Sequence, residues 1–102
     1  MDKKNHMLMD FMLFGREHGE VHDWIDSGYE KQPGYFHWLE RHHLQAINAQ
    51  YKNGSEEWLS AFMHIMSDWV SHWRITVVPI NRQDVIANLR YIGYIQEGDF
   101  VE

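Results

Sequence analysis

Apolar and polar positions recur with a helical period along most of the chain. His6 to Phe14 is a hydrophobic run broken by Asp10 and stopped by Gly15, and it reads as a first helix. A second begins near Glu17. Val21, Trp24 and Ile25 share its apolar face, while His18, His22 and Asp26, spaced four apart, line its edge, and Gly28 is a fitting stop. Pro33 suits the first turn of a third helix reaching about Tyr51. At about 100° per residue, Phe36, Leu39, His43 and Ile47 form its apolar stripe, with His37, Arg41, Gln45 and Asn48 opposite, so His43 is expected to point inward. After an Asn53-Gly54 turn, Ser55 followed by Glu56 and Glu57 opens a fourth helix, the hydroxyl as cap and the acids at the positive end of the dipole.

That fourth helix, about Ser55 to Trp73, carries Trp58, Leu59, Phe62, Ile65, Met66, Trp69 and Trp73 on one broad stripe and is the expected main core donor. His64, Asp68 and His72 recur on its other side, where a solvent-facing polar surface is the favoured reading over a site. Ile75 to Val78, before Pro79, is too short for a sheet of its own and reads as an extended connector. Asn81-Arg-Gln-Asp84 resembles a capping box opening a last helix to about Ile92, stopped by Gly93, with a tail that packs through Tyr94, Ile95 and Phe100. The pattern predicts an all-α fold: one compact helical bundle of four to five helices over residues 1–102, without repeats or an internal boundary.

Composition narrows the function classes. At 102 residues the chain fits one domain, and 44% hydrophobic with 15% aromatic residues gives ample material for a core. The hydrophobic positions exceed what a small bundle readily hides, which predicts a homodimer using Trp38, Trp58 and Trp73. A net charge of -6, with nine Lys plus Arg dispersed along the chain, argues against nucleic acid. Eight histidines would bring that charge to +2 if all were protonated, so behaviour should depend on pH. The first hydrophobic run is far short of the roughly 20 residues that cross a bilayer, and no membrane span is expected. With no cysteine, disulfides, thiolate catalysis and sulfur-rich zinc sites are excluded, any metal is left with nitrogen and oxygen ligands, and a reducing cytoplasm fits.

The chemistry concentrates in His22-Asp-Trp24-Ile-Asp26 and in His37 to Ile47, with no phosphate loop or nucleophile elbow beside them. His6 with Phe14-Gly15, then His22-x-Trp24-Ile25-Asp26-Ser27, then His37-x-x-x-Arg41-His42-His43-x-x-x-Ile47, resembles a family of small, histidine-rich bacterial and phage proteins with no settled reaction. The similarity covers roughly the first half of the chain and implies a common site. The residues themselves suit a divalent metal, whether zinc, manganese, iron or nickel, held by His6, His22, Asp26, His42 and His43. His43 is the first ligand candidate and His22 the second, while Asp26 can be a ligand or an acceptor that holds the His22 ring. Arg41 cannot bind metal but can clamp an anion.

His22-Asp23 is also similar to the dyad of the histidine-aspartate metal phosphohydrolases, which are all-α enzymes. That similarity implies a metal-dependent hydrolase of phosphoesters, with Asp23 and Arg41 as the catalytic groups. The structural reading stands beside it: buried histidines often donate one ring hydrogen to a carboxylate and do nothing more. A second class follows from the acidic balance, an interaction or inhibitor protein of phage type that covers a basic surface of a protein partner.

Overall fold

The computed structural model describes residues 3–27 and 34–96. Its helices are α1 (Lys3–Phe14), α2 (Gly19–Asp26), α3 (Trp38–Arg41, entered through a 3-10 turn at Gly34–His37), α4 (Leu44–Gln50), α5 (Glu56–Trp73) and α6 (Arg82–Tyr91), with no strand among the described residues. The all-α expectation holds, and no described helix is long and apolar enough to cross a membrane. The expected stop at Gly28, the start at Pro33, the stripe position of Phe36 and the packing of Phe100 lie outside what is described.

Helix α5 is the axle of the fold, in contact with α1, α2 and α4. It starts where its cap predicts, Ser55 Oγ accepting the Trp58 N–H at 3.2 Å with Glu56 and Glu57 in the first turn. It ends at Arg74, whose left-handed backbone (φ 56°) turns the chain into the connector. Ala61, Ile65 and Trp69 are fully buried on one face and join Val21, Ile25, Leu39, Ile47, Val85, Ile86 and Leu89 in the core. A second face is buried as well, and it is polar: Ser60, His64, Ser67 and Asp68. His64 and Asp68 therefore do not face solvent, and only His72 of that expected surface is exposed. Trp38 is also core, 3% exposed, which removes it from any dimer contact, while Trp58 and Trp73 are half-buried against the core.

The expected long third helix is broken at His42-His43, and the connector explains the break. The Leu44 and Gln45 amides, which in a continuous helix would bond back into the preceding turn, instead donate to Pro79 O at 2.9 Å and Ile80 O at 2.7 Å. His43 adopts extended backbone, and its ring caps the new helix by accepting the Ala46 N–H at 3.2 Å. The connector forms no helix or strand and bends at Val77. It leads into α6, where Asn81 Oδ1 accepts the Asp84 N–H and the Asp84 carboxylate accepts the Ile80 N–H, both at 3.0 Å. Gly93, at φ 84°, closes that helix, and Ile95 packs into the core beyond it.

Helix α1 inverts the usual arrangement. Its fully buried side chains are His6 and Asp10, whereas Leu8, Phe11, Met12 and Leu13 are each more than half exposed. Gly15, at φ 74°, ends it and turns the chain back so that α2 can lie alongside.

Candidate metal centre

Three helices bring their polar residues to one place. α1 supplies His6 and Asp10, α2 supplies His22 and Asp26, and α5 supplies His64 and Asp68; each is a histidine followed four residues later by an aspartate, so the two share a helix face. With eight His and seven Asp in 102 residues, chance supplies roughly half of one such pair, and the chain has three. The helix break adds His42 from the end of α3. Except for Asp26, whose side chain is 38% exposed, all of these groups are essentially buried.

Asp68 is the hub. Its Oδ1 accepts from His6 Nε2 at 3.1 Å and its Oδ2 from His42 Nε2 at 3.1 Å, while His64 Nε2 lies 3.1 Å from the same Oδ2. Asp26 places Oδ1 at 3.2 Å from His37 Nε2 and 3.4 Å from His42 Nε2, and Oδ2 at 3.5 Å from His64 Nε2. Despite its two carboxylate neighbours, His64 Nε2 is out of line for a hydrogen bond, and His42 Nδ1 is likewise buried without one. On the other side of His64, Nδ1 approaches His22 Nδ1 at 2.8 Å, and His22 Nε2 donates to Asp10 Oδ2 at 2.6 Å. Asp10 is in turn fixed by Ser60 Oγ at 2.6 Å and by the His18 amide at 3.0 Å. The His6 and His64 rings stack with centroids 3.7 Å apart, and Trp38 stacks on His42 at 4.8 Å.

The electrostatics follow from burial and pairing. Burial opposes ionisation of Asp68, but hydrogen bonds from His42 and His6 and the neighbouring His64 overcome it and hold its pKa far below the ordinary carboxylate range. Asp26 is depressed in the same way, burial being outweighed by His37 and His64. Burial dominates at His42, whose pKa is pushed down to about 4, and it also lowers His22 against the pull of Asp10. At His64 burial is outweighed by Asp26 and Asp68, and the pKa is raised.

Two groups of potential ligands result, each with its donor atoms within 4.8 Å of one another: Asp26, His42, His64 and Asp68; and His6, His22 and His64. Four of the residues expected to hold metal, His6, His22, Asp26 and His42, enter these groups. His43 stands apart, because the break after Arg41 turns its ring away: it caps α4 and places Nε2 3.1 Å from Leu39 O. Asp23 is 65% exposed and pairs with Lys3 at 2.7 Å, so it and His22 do not converge as a dyad. Arg41 donates to Trp24 O at 2.6 Å and to Ser27 Oγ, with its guanidinium over the Trp24 ring, which fixes it at the end of α2 on residues that flank Asp26 in the chain. Asp10, His64 and Asp68 were not among the expected site residues. The thrice-repeated His-x-x-x-Asp spacing is the signal that finds them.

His43→Ala is expected to lower stability by about 1–2 kcal/mol, the worth of a lost helix cap, while leaving metal binding intact. Thermal melts with and without added zinc check both halves. The chain matches no protein-family model, no curated protein and no solved structure.

Proposed function

We propose that the protein binds a divalent transition-metal ion through Asp26, His42, His64 and Asp68, and that the centre serves metal-assisted hydrolysis of phosphoesters. The observation that carries the first part is the convergence of two imidazoles and two carboxylates in one buried cluster, with His64 Nε2 aimed at both carboxylates and bonded to neither. This mixed nitrogen and oxygen set suits zinc, manganese, iron or nickel. His37 is an outer partner that orients Asp26. Such an ion, when bound, would lower the pKa of a coordinated water and polarise a phosphoryl oxygen. Asp26, the ligand that reaches solvent, would mark the side of approach, and Arg41, held at the end of α2 by Trp24 O, would be the cation that holds a phosphate.

Metal-stripped protein, made without a histidine tag, should gain about 2.7 kcal/mol of stability at one hundred times the dissociation constant of the ion. Binding should weaken as pH falls through the raised pKa of His64, because a coordinating imidazole must be neutral, whereas His42 stays neutral down to about 4. His42→Ala and Asp26→Asn should abolish the gain. If zinc, manganese and nickel all leave the melting temperature unchanged, the metal reading fails. Hydrolysis of a chromogenic phosphodiester by the loaded protein, lost in Arg41→Gln with metal still bound, tests the reaction. The reading as an interaction protein draws on a separate observation, the exposed Leu8, Phe11, Met12 and Leu13 of α1, where a protein partner or a second copy of the chain would sit. It needs no metal.

A further inference from the structure

His64 belongs to both ligand groups, and its geometry shows how. The two nitrogens of an imidazole lie on different edges of the ring and point apart, so they cannot serve one ion. In this fold Nε2 faces Asp68 and Asp26, and Nδ1 faces His22. Asp68 has the same duality, one oxygen toward His6 and the other toward His42 and His64. With these two residues the groups together hold six side chains, more than the four ligands a zinc ion takes.

The surroundings of His22 are those of a metal ligand. Because a carboxylate can only accept, the 2.6 Å contact to Asp10 places the His22 proton on Nε2 and leaves the Nδ1 lone pair directed at His64. A carboxylate holding the far nitrogen of an imidazole is the usual outer support of a coordinating histidine. Ser60 and the His18 amide hold that carboxylate in turn, on a helix that exposes its apolar residues to keep His6 and Asp10 inside.

Building on the metal reading above, we propose that the chain holds two divalent cations, the second on His6, His22 and His64, with His64 giving up its ring proton to solvent and coordinating both ions as an imidazolate through its two nitrogens, and Asp68 lying between them. The sites differ in chemistry. The first is mixed nitrogen and oxygen and accepts manganese as well as zinc; the second is all imidazole and selects zinc, copper or nickel over manganese.

Equilibrium dialysis of metal-stripped protein followed by elemental analysis tests this. Two zinc ions per chain are expected but only one manganese, and His22→Ala should bind one zinc. The comparison of zinc with manganese needs no variant, so it stands even where His22→Ala fails to fold. One zinc per chain would overturn the second site and leave the first standing, whereas no bound ion overturns both. Two manganese ions per chain would overturn the assignment of an all-imidazole second site. Copper tests the bridge. With both sites filled, a shared His64 imidazolate should couple the two spins and depress the low-temperature paramagnetic resonance signal per copper well below that of singly loaded protein, and an undiminished signal overturns the bridge.

Discussion

Asp68→Asn is expected to cost the metal-free protein about 3–5 kcal/mol, the range found when one partner of a buried ionic cluster is removed and the others stay behind. The amide keeps the shape but not the charge. His6, His42 and His64 would then face a group that offers only one acceptor oxygen in place of two charged ones, with His64 left beside Asp26 alone. Since a chain of this size has only about 5–15 kcal/mol of net stability, the loss brings the variant close to unfolding at room temperature. Asp23→Asn is the control, because Asp23 is exposed and its pair with Lys3 is worth little. The urea midpoints of the two variants and the parent measure the difference; a parent-like midpoint for Asp68→Asn would show that the histidines do not depend on its charge.

Acid is expected to destabilise the metal-free protein well above the carboxylate range. His42 has its pKa pushed down to about 4 by burial, against 6.5 for a free imidazole. Above pH 6.5 the ring is neutral in both states and contributes no slope. Between about pH 6.5 and 4 the unfolded chain takes up a proton that the folded chain refuses, so stability falls, by about 3 kcal/mol at the lower end. His22 and His43, also lowered by burial, act in the same direction. His64 has the opposite sign: its raised pKa gives a stabilisation that is complete below 6.5 and is lost as pH rises through the folded value, so it does not counter the slope beneath. Asp26 and Asp68, both depressed, hold their stabilising charge until pH falls through the ordinary carboxylate range and below, where a second loss begins. Urea midpoints at unit steps from pH 7 to 4 read the first loss directly. A flat profile, or an unchanged slope in His42→Gln, would rule out a neutral buried His42.

The helical period of the sequence located α1, α2, α5 and α6, and caps and glycines, which act locally, marked ends of three of them: Gly15 and Gly93 close α1 and α6, and Ser55 and Asn81 open α5 and α6. Two features escaped it. The break at His42-His43 is caused by Pro79 and Ile80, distant carbonyls that draw the Leu44 and Gln45 amides out of the helix, and histidine is not among the residues that announce a cap. The burial of His64 and Asp68 escaped because periodicity gives the angle between faces, not the number of them that are covered. Helix α5 is covered on two. His6, His22, Asp26 and His42 were legible as ligand types, but their common partners on α5 are visible only once α1 and α2 are laid against it.

The inside-out first helix carries a consequence for the energetics of opening. An element docked by apolar burial is held by a force that grows with area and tolerates small displacements, whereas α1 is held by His6 and Asp10, whose bonds to Asp68, His22 and Ser60 are directional and fail together when the helix shifts. Detaching it uncovers little oil and leaves the core of α2 to α6 in place. The same movement strips His6 from its ligand group and removes the Asp10 support from His22. A sub-global opening that releases α1 would thus also dismantle half of the cluster, so exchange of the α1 amides and loss of the His6 group should go together.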